Sequence, residues 1–474
     1  MDWHNLIVRA INGFEVVIIV YVLTINAIYF LLLVTGYFAL RRCRDRLSSQ
    51  EQQALLKSSL APSVSVLAPA YNEAATIRES VRALLKLHYP RHEVIIINDG
   101  STDATLEILI EEFHLYKSAR AAGEALAAKP IRGIYESRNP IRLIVVDKEN
   151  GGKADSLNAG LNVARSTLVA VVDSDSLLEE DALLYVVKPF LEDPERTLVS
   201  CGMVRVANGC QVRHGRVTRV GCPSSILARF QAVEYLRAFL GSRIAFSFLN
   251  SLLVVSGAFG LFRRQVVLEA GGFNTSTVGE DMELIVRLHR QWRKRKQDYR
   301  IVFVPEPVCW TEVPETREML RRQRNRWHRG TIESLRLHKT MFLNPKYGLV
   351  GLFACPYFAL FEILGPTVEL TGYLLTIVGG LAGLVWKEIA ILFFFASVGF
   401  GIFLSASAVV LEEMTTRRYP AMKDVGRLFW AAILENFGYR QLLTFWRTQG
   451  LLDGIRGKKG WGAMERRGFQ SSRT

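Results

Sequence analysis

Val169 to Asp175 reads VAVVDSD, an apolar, β-branched run that stops at two carboxylates separated by one serine. A run this short and this apolar predicts a buried parallel strand. Its carboxyl end, where open α/β sheets take ligands, then carries Asp173 and Asp175, two hard oxygen donors able to share one divalent cation with a diphosphate. Alone, the pattern also suits a solvated turn at a strand end, so the flanking chain has to decide.

Upstream the same arrangement recurs three times. Val64 to Ala68 (VSVLA) leads into PAYNE and a helical run, with Pro69 expected to stop the strand. Glu93 to Ile97 (EVIII) ends in NDGST, Asn98 to Thr102, and Leu143 to Val146 (LIVV) runs into DKENGGKADSLNAGLNVA. Strand alternating with helix implies right-handed parallel units with polar residues gathered at the carboxyl ends, the pattern of a nucleotide-binding sheet. Gly151 and Gly152 let backbone N–H groups approach an anion where a helix begins, and Lys153 adds a point charge; an ordinary turn with an exposed lysine fits equally. The Walker pattern is absent and no GxGxxG follows the first strand, which speaks against a P-loop and against a dinucleotide cofactor. Residues 117–140 read as an insertion of helix and loop.

Downstream, residues 199–206 predict another strand and Ile226 to Leu240 an amphipathic helix interrupted by Gln231 and Glu234. Ser256 to Arg264 (SGAFGLFRR) offers small residues for close approach to a ligand or for a tight packing corner. In GEDMELIVRLHR, Glu280 and Asp281 stand at the first turn of a helix whose dipole would hold Asp281 ionised, either as a base for an alcohol or as a simple N-terminal cap. After a strand at Ile301 to Val304 comes MLRRQRNRWHRG, Met319 to Gly330. Gln323 and Trp327, four apart, share a helical face, and Arg326 adds a permanent cation: a sugar platform with a pyrophosphate clamp, or a basic juxtamembrane helix with an interfacial tryptophan.

The 474 residues are most apolar at the start and after about residue 347. Val16 to Leu40 holds 25 residues without a charge; as a helix it spans roughly 37 Å, more than the hydrocarbon core, and reads as a retained anchor rather than a cleaved signal peptide. The following RRCRDR, Arg41 to Arg46, puts the next segment in the cytoplasm. The net charge of +14 gathers in such clusters, so anionic lipid headgroups explain it better than nucleic acid. Cys43, Cys201, Cys210, Cys222, Cys309 and Cys355 have no metal-ligand rhythm and read as free thiols. Tyr347 to Phe361 is expected to be interfacial or re-entrant, whereas Thr367 to Trp386 and Ile389 to Leu411 are expected to span, with cytoplasmic flanks. Phe429 to Leu451, carrying Glu435 and Arg440, is either interfacial or lines a polar pathway. The expected division is an anchor with its basic flank at 1–46, a cytoplasmic α/β domain at 47–340, interfacial and transmembrane helices at 341–452 and a basic tail at 453–474.

Taken in order, PAYNE (Pro69 to Glu73), NDGSTD (Asn98 to Asp103), GGKADSLNAG (Gly151 to Gly160), DSD (Asp173 to Asp175), GED (Gly279 to Asp281) and QRNRW (Gln323 to Trp327) resemble the motifs of glycosyltransferase family 2. The resemblance is to its membrane polysaccharide synthases, those of cellulose, chitin, hyaluronan and, nearest, poly-N-acetylglucosamine. It implies a GT-A α/β domain joined to α-helical transmembrane segments, acting as an inverting, UDP-sugar-dependent hexosyltransferase. By the resemblance Tyr71, Glu73 and Asp99 hold the uridine, Lys153 and Asp173 line the nucleotide site, Asp175 meets a Mg²⁺ or Mn²⁺ ion, Asp281 is the general base, and Gln323, Arg326 and Trp327 receive the acceptor near the diphosphate. The implied substrate is UDP-N-acetylglucosamine, extending a β-linked polysaccharide that is extruded across a bacterial inner membrane with the help of a small membrane partner subunit. Single transfer to a lipid and a non-catalytic membrane scaffold are the competing expectations. Asn98 departs from relatives that carry two consecutive acids there, so only Asp99 carries over as an acid.

Overall fold

The structure is a computed structural model that describes residues 3–44, 61–138, 142–174, 176–213, 215–415 and 418–457. Asp175, Asp45 and Arg46 of the basic flank, residues 47–60, Arg417 and the tail from residue 458 lie outside the described residues.

Among the described residues twelve strands follow in chain order: β1 Val64–Ala70, β2 His92–Asp99, β3 Tyr116–Lys117, β4 Ile131–Glu136, β5 Leu143–Lys148, β6 Leu168–Val172, β7 Leu177–Leu178, β8 Thr197–Val206, β9 Gln211–Arg213, β10 Arg216–Arg219, β11 Phe259–Arg263 and β12 Arg300–Thr311. Ten form one sheet in the order β3-β4-β5-β2-β1-β6-β11-β8-β12-β7, and β9 and β10 form a separate hairpin. β5, β2, β1 and β6 run parallel, as their continuous apolar character predicts, so four carboxyl ends point to one edge. β11 enters antiparallel between β6 and β8 and makes the sheet mixed.

Two strand expectations change. β1 does not stop at Pro69 but continues through it to Ala70. Its pairing with β6 ends at Leu67, while pairing with β2 carries on past Pro69, so the missing N–H falls where one side of the strand has no partner. Among its described residues, 117–138, the insertion contains no helix; β4 pairs antiparallel with β5 and, with β3, forms the sheet edge.

Three helices among the described residues are long and apolar enough to cross a membrane: Trp3–Arg41, Val350–Gly379 and Lys387–Thr415. The short segment expected to be interfacial therefore joins the next one across Gly365 and Pro366. Pro366 has no N–H to offer the carbonyl of Glu362, and the Arg447 side chain donates to that carbonyl instead, at 2.7 Å. The expected span to Trp386 ends sooner, in a turn with Gly383 at φ +70°. Asn12 of the first helix holds this turn, donating to Leu384 O at 2.8 Å and accepting from Trp386 N at 2.9 Å.

The last helices, Met422–Leu434 and Tyr439–Ile455, break at Gly438. Two charges singled out in this region turn inward: Glu435 is buried and accepts from Arg237 and Ser405 at 2.6 Å each, and Arg440 lies 3.4 Å from Glu369. Tyr439–Ile455 packs along Arg317–Leu337, where Asn325 donates to Asp453 at 2.9 Å.

Candidate active site

The strand ends build one side of the site. Asp99, the last residue of β2, is buried; Oδ1 accepts from Lys148 Nζ at 2.7 Å and Gly151 N at 3.0 Å, and Oδ2 from Gly152 N at 2.8 Å. Gly152 takes φ +86°, a conformation that suits glycine, and so turns the chain into the helix Lys153–Val163. Lys148 is fully buried between two carboxylates, 2.7 Å from Asp99 and 2.7 Å from Asp155. This network fastens the turn that presents Lys153. Tyr71 is exposed just beyond β1, and Glu73 accepts from Thr76 Oγ1 at 2.8 Å and Ser174 Oγ at 3.2 Å, tying the PAYNE loop to the end of β6.

Lys153 is the meeting point. Its ammonium lies 2.5 Å from Asp173 Oδ1, 3.2 Å from Gly257 O and 3.5 Å from Glu280 Oε1. Burial works against its charge, but Asp173, Glu280 and Asp281 together raise it well above the ordinary lysine range. Burial likewise pushes Glu280 up, opposed by Lys153. Asp281 accepts from Met282 N through Oδ1 at 2.7 Å, so one oxygen does serve the helix end. Oδ2 stands 3.0 Å, and Lys153 Nζ 3.2 Å, from the point a Cβ on Gly257 would occupy. The small-residue stretch before β11 thus gives room where the two charged groups converge.

The helix Arg317–Leu337 forms the other side. Gln323, Arg326 and Trp327 share with Lys153, Asp173 and Asp281 the lining of one cavity of about 780 Å³, which continues to Tyr357 and Glu362 of the apolar helix Val350–Gly379 and to Arg447 of Tyr439–Ile455. Gln323 Oε1 is buried with no hydrogen-bond partner among the described residues, an acceptor open to a hydroxyl. The cation over the Trp327 ring is Arg324, at 4.6 Å, and Arg324, Glu234 and Arg326 all line the cavity. Burial, with Arg447 nearby, pushes His328 on this helix down to about 3.

This helix holds the Asp281 loop by backbone contact. A Cβ on Gly279 would meet Gly330 Cα at 2.9 Å, and one on Gly330 would meet Gly279 Cα at 3.0 Å. Glu333 Oε2 accepts from Thr277 Oγ1 at 2.8 Å and Val278 N at 3.0 Å, and His338 lies 2.9 Å from Glu283, two residues past Asp281. Sequence reasoning assigned no role to Arg324 or Glu234 and none to Glu280 beyond the first turn of its helix, whereas Gly257 fell in the small-residue stretch expected to admit a ligand or a packing corner. For Glu234 a signal existed, a charge interrupting the apolar face of its helix. For the Gly279–Gly330 contact there was none, because the two glycines are far apart in the chain.

Tyr71, Glu73, Asp99, Lys153 and Asp173 therefore stand at the strand ends, but of these only Lys153 and Asp173 line the cavity, together with Asp281, Gln323, Arg326 and Trp327; Tyr71, Glu73 and Asp99 are not among its lining residues. Asp175, the expected metal ligand, lies outside the described residues. Among the described residues no group of three or more His, Cys, Asp or Glu side chains could hold a metal ion.

Against known proteins, the family model for glycosyltransferase like family 2 matches residues 61–330. Poly-beta-1,6-N-acetyl-D-glucosamine synthase of Staphylococcus epidermidis is 31% identical over 273 residues, 57% of this chain and 55% of that protein. The corresponding synthase of Staphylococcus aureus (strain COL) is 30% identical over the same shares. The chain thus spans about half the length of the curated relatives it matches. Among solved structures, a mannosyltransferase from Pyrobaculum calidifontis in complex with GDP-Man and Mn²⁺ aligns with a TM-score of 0.48 and 20% identity, covering 88% of this chain and 99% of that one. TarS 1-349 of S. aureus, in complex with UDP-GlcNAc, aligns at 0.38 and 17%, covering 80% and 92%. The family match takes in more than half of the chain, including every motif from PAYNE to QRNRW, and the chain belongs to glycosyltransferase like family 2, with a GT-A fold built on the mixed sheet.

Proposed function

We propose that the chain is a membrane-embedded, inverting glycosyltransferase of the bacterial inner membrane, with its catalytic domain in the cytoplasm. It transfers sugar from a UDP-sugar, UDP-N-acetylglucosamine in this reading, to a growing β-linked polysaccharide and passes the product outward. The observation that carries this is the single cavity running from Lys153, Asp173 and Asp281, past Gln323 and Trp327, to Tyr357 and Glu362 on the apolar helix Val350–Gly379, with Arg447 of Tyr439–Ile455 beside them. A site for one small soluble acceptor has no need of that continuation. The names of the staphylococcal relatives support N-acetylglucosamine as the sugar.

In this reading Tyr71, Glu73 and Asp99 shape the uridine end, Asp99 by holding the Gly151–Gly152 turn. Asp281 takes the proton of the acceptor hydroxyl while that oxygen attacks the anomeric carbon from the face opposite the diphosphate. The bond from that carbon to the diphosphate oxygen breaks, and Arg326 and Lys153 meet the charge that develops on the departing UDP. Lys153 suits this because its carboxylate neighbours keep it protonated inside a buried setting. The donor chemistry at Asp173 fits a hard cation: one oxygen is given to Lys153, and the side chain is 30% exposed. Asp173 with Asp175 would hold Mg²⁺ or Mn²⁺, which supplies Lewis-acid stabilisation of a diphosphate.

The test is UDP release by the full chain in lipid nanodiscs, compared across UDP-N-acetylglucosamine, UDP-glucose and UDP-glucuronate, with the radiolabelled product sized. The expected result is release from UDP-N-acetylglucosamine and a long polymer. A one-sugar lipid product would replace polymerisation with single transfer, and no release from any donor would sink the enzymatic reading.

A further inference from the structure

Trp327 is 41% exposed, and a ring of that size on a helix surface has several open rotamers. Something must set its plane if it is to receive a sugar. Arg324 lies three residues earlier on the same helix, only 5% exposed, with its guanidinium carbon 4.6 Å from the Trp327 ring centroid. Its two terminal nitrogens donate in a fork to Glu234, at 2.8 Å to Oε1 and 2.9 Å to Oε2. A planar fork of this kind leaves the guanidinium little rotational freedom.

Glu234 is itself held. It belongs to the helix Ile226–Leu236 and accepts a further bond from the Tyr439 hydroxyl at 3.3 Å. The Tyr439 ring packs on Phe230, one turn before Glu234, with centroids 4.9 Å apart. Tyr439 opens the C-terminal helix Tyr439–Ile455. Three segments distant in sequence thus converge, through Tyr439, Glu234 and Arg324, on one face of Trp327.

We propose that Arg324 and Glu234 are positioning residues for the acceptor: they cap one face of the Trp327 indole, fix its plane and leave the opposite face to the incoming sugar. This rests on reading the cavity as a glycosyltransferase site. Arg324, Glu234 and Arg326 all line the cavity, but Arg324 and Glu234 are spent on each other, and Arg326 keeps its separate role toward the diphosphate.

The test uses the full chain in nanodiscs carrying Arg324→Gln with Glu234→Gln. The pair of amides keeps a hydrogen bond across the helices, leaves no buried charge unpaired and removes the cation from the ring. Expected are a near-unchanged thermal midpoint, an unchanged KM for the UDP-sugar and a rise of about tenfold in KM for a short β-linked N-acetylglucosamine oligomer, with kcat little affected. The charge swap, Arg324→Glu with Glu234→Arg, keeps the ion pair but moves the guanidinium to the other helix, and the same acceptor defect is expected. Tyr439→Phe, which loses only the outer bond, should raise acceptor KM about threefold. A folded double variant with wild-type acceptor KM, or donor and acceptor KM rising together, overturns the proposal.

A second readout needs no activity. The chain has eight tryptophans, so the Trp327 signal is taken as the difference made by Trp327→Phe in each background. Acrylamide should quench that signal more readily in the amide double variant, and equal quenching would refute the positioning role. If the wild-type chain transfers no sugar, the functional reading fails while quenching still decides the orientation of Trp327.

Discussion

On the strand-end side of the cavity, Tyr71, Glu73, Asp99, Lys153 and Asp173 each lie at the end of a parallel strand or within five residues beyond it, and sheet register brings them together. On the helical side, Asp281, Gln323, Arg326 and Trp327 sit on two helices joined by a glycine–glycine crossing and a few side-chain clamps. The first side rests on a ladder of backbone bonds, each replaceable by its neighbours. The second depends on a handful of contacts, each without a substitute. Donor-side substitutions should therefore act locally, whereas acceptor-side changes should propagate to the base.

The largest expected effect is that of Asp281→Asn, which keeps the shape but cannot take a proton. Turnover should fall by about a thousandfold or more, with UDP binding by titration intact. Loss of UDP binding instead would move Asp281 to the donor side.

Gly330→Ala should come next. Its methyl would stand 3.0 Å from Gly279 Cα, so the helices must part. A cost of about 1–3 kcal/mol in stability and a loss of about ten- to a hundredfold in kcat are expected, read by thermal midpoint and UDP release. Lys153→Met offers the contrast on the strand-end side: donor KM up about tenfold, with a smaller thermal shift because Asp173 can rehydrate and the buried Glu280, already pushed up by burial, can take up a proton. If the two variants behave alike, the two sides are not built differently.

A smaller effect is expected from pH. Burial pushes His289, on the Asp281 helix, down to about 4 from the ordinary 6.5, so the folded chain keeps it neutral where the unfolded chain takes up a proton. That stability is complete above pH 6.5 and is lost as pH falls from 6.5 toward 4. His289→Gln should flatten the fall in thermal midpoint across this window. Glu283 adds a second loss at lower pH. Burial would raise it, but His338 and Arg287 hold it below the ordinary 4.5, so its contribution is present above 4.5 and disappears as pH drops through its lowered value. The least effect belongs to Glu318→Gln. The neighbouring Arg321 and Arg322 hold Glu318 down to about 2, yet all three are exposed, and neither thermal midpoint nor activity should change measurably.

The strand-end side was legible because a buried parallel strand announces itself by its composition and its last polar residue falls at the ligand edge. VAVVDSD, EVIIIND and the Gly151–Lys153 turn needed only local pattern. The extension of β1 through Pro69 was not legible, since it depends on where β6 stops pairing. Nor was the joining of two apolar segments across Pro366, since the Arg447 side chain that answers the free carbonyl lies 85 residues away from Glu362. Arg324 and Arg326 look alike in QRNRW, and only burial against Glu234 separates the one that pairs inward.

The sequence by itself determined the parallel strands that carry the site, the residue types at their ends, the apolar character of the segments that become long helices and, through six ordered motifs, the family. Those are properties of short windows, where apolar periodicity and turn chemistry act over a few residues. Only the tertiary structure decided that Lys153 joins Asp173 to Glu280, that Gly279 meets Gly330, and that Tyr439 and Glu234 reach Trp327 through Arg324. Each of these contacts closes across a long stretch of chain. The surfaces around it are joined by excluding water, the charge pairs within them by Coulombic attraction and hydrogen bonds, and no window of sequence contains both sides together.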